Sequence, residues 1–126
     1  MDKLTGLPFN EIKDSGAPAT GKKIIFWDAA KNIDKSAVTQ AKDLLLYCAA
    51  EQMQTLVFTK SRKMAESIRI WASRENKNGA EILSYRSGYS ADLRRETENK
   101  FKNGIARAIV STNALELGID IGGLDC

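Results

Sequence analysis

An α/β fold on a doubly wound, mostly parallel sheet is what this 126-residue sequence predicts. Two observations predict it. Apolar runs of strand length alternate with stretches of helical period. The strand candidates are also apolar throughout, where a sheet with one wet face would alternate apolar and polar residues. The length and a hydrophobic content of 43% suit one compact domain or a piece of a larger one.

The elements follow in order. "LPFNEIK" and "KKIIFWD" are β-prone runs around a Gly/Pro/Ser-rich connection, "DSGAPATG", which reads as a hairpin or extended arm leading into a strand. "SAVTQAKDLLLYCAAEQ" has helical period, with Val38, Ala41, Leu45, Cys48 and Ala49 on one face and Ser36 as N-cap. "QTLVFT" is a strand. "SRKMAESIRIWASREN" returns to helical period through Met64, Ala65, Ile68, Trp71 and Ala72, with Ser61 as N-cap and Trp71 expected in the core. "AEILSY" is a strand. "SADLRRETENKFKNG" is an amphipathic helix with Leu93 and Phe101 inward, ended by Gly104. "ARAIVST" is a strand, "NALELG" a short helix, and "IGGLDC" opens another strand. The sheet is expected to be incomplete at Cys126. The expected division is a lead-in arm over residues 1–23 and the α/β domain over residues 24–126.

Composition removes several classes of function. There is no histidine, which excludes Ser-His-Asp and Cys-His catalysis and any histidine metal site. The two cysteines, Cys48 and Cys126, have no ligand spacing; they point to a reducing, intracellular or cytoplasmic setting without a disulfide framework. No apolar run approaches the roughly 20 residues that span a bilayer, so no membrane partner is expected. A net charge of +3 permits a polyanionic partner without demanding one.

"GAPATGKK" matches the phosphate-loop pattern through Gly16, Gly21 and Lys22. Its context is wrong. A phosphate loop follows a strand and opens a helix, so that backbone N–H groups meet the phosphates. This segment runs into "IIFWD", and Lys23 stands where a hydroxyl should reach Mg²⁺. A turn with solvated lysines is the better reading.

In a parallel sheet, ligands sit at loops leaving the C-terminal strand ends. Three loops qualify: "TKSR", "YRSGYS" and "STNALELGID". The third is the most specific. Thr112 stands where a hydroxyl and a helix N-terminus can grip a phosphate, Gly118 lets a ligand approach the backbone, and Asp120 can accept from a ribose hydroxyl. Residue type alone equally supports a helix cap, a helix end and a turn, which are the commoner work of these residues.

"ARAIVSTNALELGID" resembles motif V of the superfamily 2 helicases, ending Thr-x-x-x-x-x-Gly-hydrophobic-Asp. "TLVFTKSRKMAE" resembles motif IV, and "YRSGYSADLRRETENKFKNG" the segment between them. The three occur in the family's order and cover residues 54–125. The wording is similar to DExH-type DNA helicases of the repair kind, some of which carry a zinc module; no zinc ligand set occurs here. The resemblance implies the second RecA-like domain of the motor, a P-loop NTPase fold without its own P-loop, with "GAPATGKK" in the connection between motor domains.

Carried over, Ser61, Arg62, Arg86 and Gly88 face the nucleic-acid backbone and Thr112 hydrogen-bonds a phosphate. Gly118 and Asp120 face ATP across an interdomain cleft. The resemblance implies ATP and Mg²⁺ as cofactors of the full-length protein. It implies single-stranded DNA or RNA as partner, with DNA favoured, and the first RecA-like domain of the same protein. The phosphate loop and the Mg²⁺-binding acids belong to that first domain, and an arginine finger lies beyond motif V. The chain alone therefore carries no catalytic residue and no metal site, and is expected to be inactive. Ala91 stands where the DEAD-box branch has Gln, which argues against that branch; Arg94 and Arg95 read equally as a solvated helix face. The alternative from another class is a catalytically silent helicase-like or flavodoxin-like module that binds a protein or small ligand.

Overall fold

Three serines start the three α-helices of the described residues, each by capping a backbone N–H three residues on. The computed structural model describes Gly6, residues 21–112 and residues 123–126. Ser36 Oγ accepts from Thr39 N at 3.1 Å and opens α1, Ala37–Ala50. Ser61 Oγ accepts from Met64 N at 3.2 Å and opens α2, Arg62–Glu75. Ser90 Oγ accepts from Leu93 N at 3.3 Å and opens α3, Ala91–Lys102. The strands between and after them are β1, Thr55–Phe58, β2, Glu81–Tyr85, and β3, Ala106–Ser111.

Helices α1 and α3 end alike. After α3, Gly104 N donates to Phe101 O and Ile105 N to Lys100 O, with Gly104 at φ +69°. After α1, Gln52 N donates to Ala49 O and Met53 N to Cys48 O, with Gln52 at φ 60°. Both are Schellman endings, which need a left-handed residue just past the cap. One has the expected glycine; the other holds a glutamine there against steric cost.

The sheet order is β1-β3-β2, and both pairings are parallel. β3 is central and correspondingly sealed: Ala108, Ile109, Val110 and Ser111 are at most 1% exposed. Helices cover both faces. Leu45 of α1 and Ala65, Ile68 and Ala72 of α2 pack with Ile82, Ala108 and Val110. Phe101 of α3 packs with Tyr85, Ala106 and Ile109 on the other face. The doubly wound parallel architecture expected from the apolar strand runs is therefore present. Lys42 is buried on α1 and held by ion pairs to Glu75 of α2 and to Asp43 at 3.2 Å, which ties the two helices together.

Three expectations change. "KKIIFWD" is not a strand: residues 21–28 form no regular element, and Ile24 and Phe26 are 78% and 95% exposed. A strand needs a neighbouring edge to satisfy its backbone, and no strand of the described residues pairs with this segment. Trp27 alone of its aromatics is anchored, its indole N–H donating to Gln40 Oε1 at 2.8 Å. Trp71 is not in the core but 44% exposed. The stripe facing the sheet is Ala65, Ile68 and Ala72, whose two alanines allow close approach, and Trp71 turns out beside Val38 and Met64. Leu93 is 42% exposed, not inward. It lies in the first turn of α3, one turn before the buried Thr97.

The segment "NALELG" and most of the lead-in arm lie outside the described residues. Around Cys126 the backbone pairs with β1: Cys126 N donates to Gln54 O at 3.1 Å, and Leu56 N to Cys126 O at 2.8 Å. That is the hydrogen-bond pattern of a parallel strand, in keeping with a strand opening at "IGGLDC". Lys22 and Lys23 are exposed, and the next regular element is a 3₁₀ turn at Ala29–Lys31, so no helix follows them as a phosphate loop requires.

Candidate nucleic-acid interface

The register sets Phe58, Ser111 and Tyr85 abreast as the last residues of β1, β3 and β2. The three loops therefore leave the sheet side by side, with Thr59, Thr112 and Arg86 next in line. Hydrogen bonds lace these ends. Thr59 N donates to Ser111 O at 2.8 Å, and Ser111 Oγ lies 3.1 Å from Tyr85 O and 2.7 Å from Thr112 O. Thr59 Oγ1 donates to Ser61 O at 3.1 Å, which steers the chain into α2.

Ser61 is exposed, and its oxygen caps α2 while its proton stays free to donate outwards. Arg62 is exposed too, and its Nη2 donates to Ser87 Oγ at 3.2 Å. The first turn of α2 has no acidic residue, and Lys60, Arg62 and Lys63 all cluster there. Cations are disfavoured at a helix N-terminus, where the macrodipole is already positive. Their concentration there makes a local field suited to an anion.

Arg86 lies 5.0 Å from the ring centroid of Tyr89, a cation–π contact. Its Nε is buried and, among the described residues, has no hydrogen-bond partner. Arg86, Ser87, Gly88 and Tyr89 form a tight turn closed by Tyr89 N to Arg86 O at 3.2 Å. A Cβ at Gly88 would meet nothing within 4 Å. Neither packing nor backbone conformation demands glycine there, so open approach to the backbone is what its small size provides.

Beneath the turn sits a carboxylate node. Glu66 of α2 accepts from Ser84 Oγ at 2.8 Å and Tyr89 Oη at 3.1 Å through Oε1, and from Arg69 Nε at 3.0 Å through Oε2. Burial pushes the Glu66 carboxyl up, but the hydrogen bonds from Ser84, Arg69 and Tyr89 outweigh it and hold the group below its ordinary range.

The structure thus brings Ser61, Arg62, Arg86, Gly88 and Thr112 to one end of the sheet. Thr112 differs from the rest in being 7% exposed, packed among the strand ends. Gly118 and Asp120 lie outside the described residues. Arg94 and Arg95 are exposed on α3. Sequence reasoning missed Lys60 and Lys63, for which "TKSRK" as a basic run was the available signal, and Ser87, for which there was none. It also missed Glu66, Ser84 and Tyr89, whose types and spacing carry no signal at all. Among the described residues no cluster of acidic or cysteine side chains could hold a metal ion, and no helix is long and apolar enough to cross a membrane.

Comparison with known proteins gives the family and the fold. The family described as "Helicase conserved C-terminal domain" matches residues 36–126. The ATP-dependent helicase hrq1 of Schizosaccharomyces pombe is 38% identical over 99% of this chain and 13% of its own length. The uncharacterized ATP-dependent helicase YprA of Bacillus subtilis is 37% identical over 98% of this chain and 18% of its own. The chain thus spans less than a fifth of these relatives. Among solved structures, the helicase MrfA bound to DNA and AMPPNP superposes with a TM-score of 0.69 at 34% identity, over 98% of this chain and 18% of that one. The Mycobacterium smegmatis helicase Lhr bound to single-stranded DNA and AMP-PNP gives 0.59 at 27% identity, over 75% of this chain and 13% of that one.

Proposed function

We propose, from the premise that this chain belongs to the helicase conserved C-terminal domain family, that it is the second RecA-like motor domain of a superfamily 2 DNA helicase or translocase. It contributes half of the single-strand track and half of the ATP cleft. Residues 1–23 serve as the lead-in arm from the first motor domain and residues 24–126 as the domain itself.

One observation carries the track: two exposed-end arginine loops from different strands meet, Arg62 on Ser87, at a helix N-terminus rich in cations and free of acids. Phosphates of a single strand satisfy such a surface better than any other common ligand. Ser61 donates its free proton, Arg62 and Arg86 supply charge, Gly88 admits the backbone, and Thr112 closes the floor. These contacts read the backbone and not base edges, so binding is sequence-tolerant and salt-sensitive. The structures of MrfA and Lhr with DNA support DNA as the strand.

Gly118 and Asp120 face the nucleotide in this reading, which rests on the motif V pattern and on the AMPPNP-bound relatives. When bound, ATP with Mg²⁺ supplies the phosphoryl chemistry. The motif resemblance assigns the Mg²⁺ ligands to the first domain, and on that reading the isolated chain hydrolyses no ATP.

The test is Arg62→Ala in the full-length protein. Binding to single strands should weaken alike for all sequences, and the slope of log K against log salt should shallow by about 0.7, one phosphate contact. An unchanged slope refutes the assignment.

A further inference from the structure

We propose that Tyr89 is a positioning residue for strand binding: held by Glu66 and Ser84, its ring presents the Arg86 guanidinium at the strand ends. The inference rests on the track reading above and names what makes that track rigid.

Loops at strand ends are ordinarily mobile, and a free arginine there loses much rotamer entropy on meeting a phosphate. The 86–90 turn is restrained at two points instead. Ser87 is held by Arg62 at 3.2 Å, and the Tyr89 hydroxyl sits in a three-oxygen cluster, 3.1 Å from Glu66 Oε1 and 2.5 Å from Ser84 Oγ, in which the two hydroxyl protons are shared with the carboxylate. Arg62 and Glu66 both belong to α2, so both restraints tie the turn to the N-terminal half of that helix. Ser84 lies in β2 and is itself buried, which roots the anchor in the sheet.

The ring so fixed is the surface on which Arg86 lies, 5.0 Å from its centroid. A ring can orient a guanidinium without neutralising it, as a carboxylate would. Among the described residues Arg86 forms no salt bridge, and its buried Nε is unpaired. The charge is oriented by the ring and, among the described residues, has no carboxylate partner. Glu66, the nearby acid, is engaged by Ser84, Tyr89 and Arg69. It serves the tyrosine and leaves the arginine to an external anion.

The experiment uses the full-length helicase, a fluorescent oligothymidylate and a salt series, with melting curves on every variant. Arg86→Ala should shallow the salt slope by about 0.7. Tyr89→Leu should do nearly the same, and the double variant should be no worse than either, because the two residues act as one unit. Tyr89→Phe keeps the ring but loses its anchor; it should weaken binding about threefold at unchanged slope. If Arg86→Ala shallows the slope and Tyr89→Leu leaves it at the wild-type value, the positioning role is overturned while the track reading stands. If Arg86→Ala itself has no effect, the track reading fails at this residue and takes the proposal with it. Should Tyr89→Leu not fold, Tyr89→Phe decides: wild-type affinity overturns the proposal.

Discussion

Arg62 and Ser87, 25 residues apart in the chain, are joined by a 3.2 Å hydrogen bond that bridges the loops after β1 and β2. β3 lies between those two strands, so the bond spans the end of the central strand, where Thr112 is packed. Ser87→Ala removes the tether but keeps the charge of Arg62. Single-strand affinity in the full-length protein should fall about threefold, near the lower end of the roughly 0.5–1.5 kcal/mol of an ordinary hydrogen bond. The salt slope should stay at the wild-type value, in contrast to Arg62→Ala. A slope that shallows in Ser87→Ala would mean that the serine, not the arginine, carries the phosphate contact.

Gln52→Gly should stabilise the domain. Gln52 sits at φ 60° in an ending that α3 builds with Gly104. Relief of left-handed strain, about 1–2 kcal/mol, exceeds the entropy that glycine adds to the unfolded chain, about 0.4–1 kcal/mol. A rise in melting temperature of about 2–4 °C is expected. Gly104→Ala should show the opposite sign for purely conformational reasons, since the nearest atom to an added Cβ is Arg107 Nη1 at 3.6 Å. A melting temperature lowered by Gln52→Gly would show that the glutamine side chain earns its place by a contact.

Stability should be flat near neutrality and fall in acid. The Asp43 carboxyl is held below its ordinary 3.8 by hydrogen bonds from Lys35 and then Lys42. Glu66 is pushed up by burial but held below its ordinary 4.5 by Ser84, Arg69 and Tyr89. Depressed carboxyls stabilise the fold above their unfolded values, and that contribution is lost as pH falls through the folded ones. Lys42 is raised above 10.5, chiefly by its hydrogen bond to Glu75, so its contribution is lost as pH rises past that value. Circular-dichroism melts across pH should show a plateau bounded on these two sides. A melting temperature at pH 3 equal to that at pH 7 would contradict the acid limb.

Asp120→Ala should separate chemistry from folding. If the carboxylate serves ATP, the melting temperature should change by no more than a few degrees, as a surface change costs roughly 0.5 kcal/mol or less. Strand-stimulated ATP hydrolysis by the full-length protein should drop. Lys22→Ala, in the exposed pseudo-phosphate-loop, should leave hydrolysis untouched. Phosphate release lost in Lys22→Ala but retained in Asp120→Ala would reverse both assignments.

Local chemistry was legible in the sequence. Ser36 and Ser61 as caps and Gly104 as a helix end depend on atoms within a few residues, and each appears in the structure where the sequence puts it. The apolar runs in β1, β2 and β3 identify a sheet covered on both faces because burial on both sides forbids alternation. The motifs around Arg62, Arg86 and Thr112 all fall at one end of that sheet. Tertiary structure alone decided what each stripe meets. Periodicity assigns Trp71 and Leu93 to an apolar face, but burial depends on what packs over them, and among the described residues they stay 44% and 42% exposed. "KKIIFWD" has strand composition, yet a strand exists only with a partner edge. Strand order, β1-β3-β2, is likewise a long-range outcome of packing. It alone brings Ser87 to Arg62 and Tyr89 to Glu66, across separations of 25 and 23 residues that no local rule encodes.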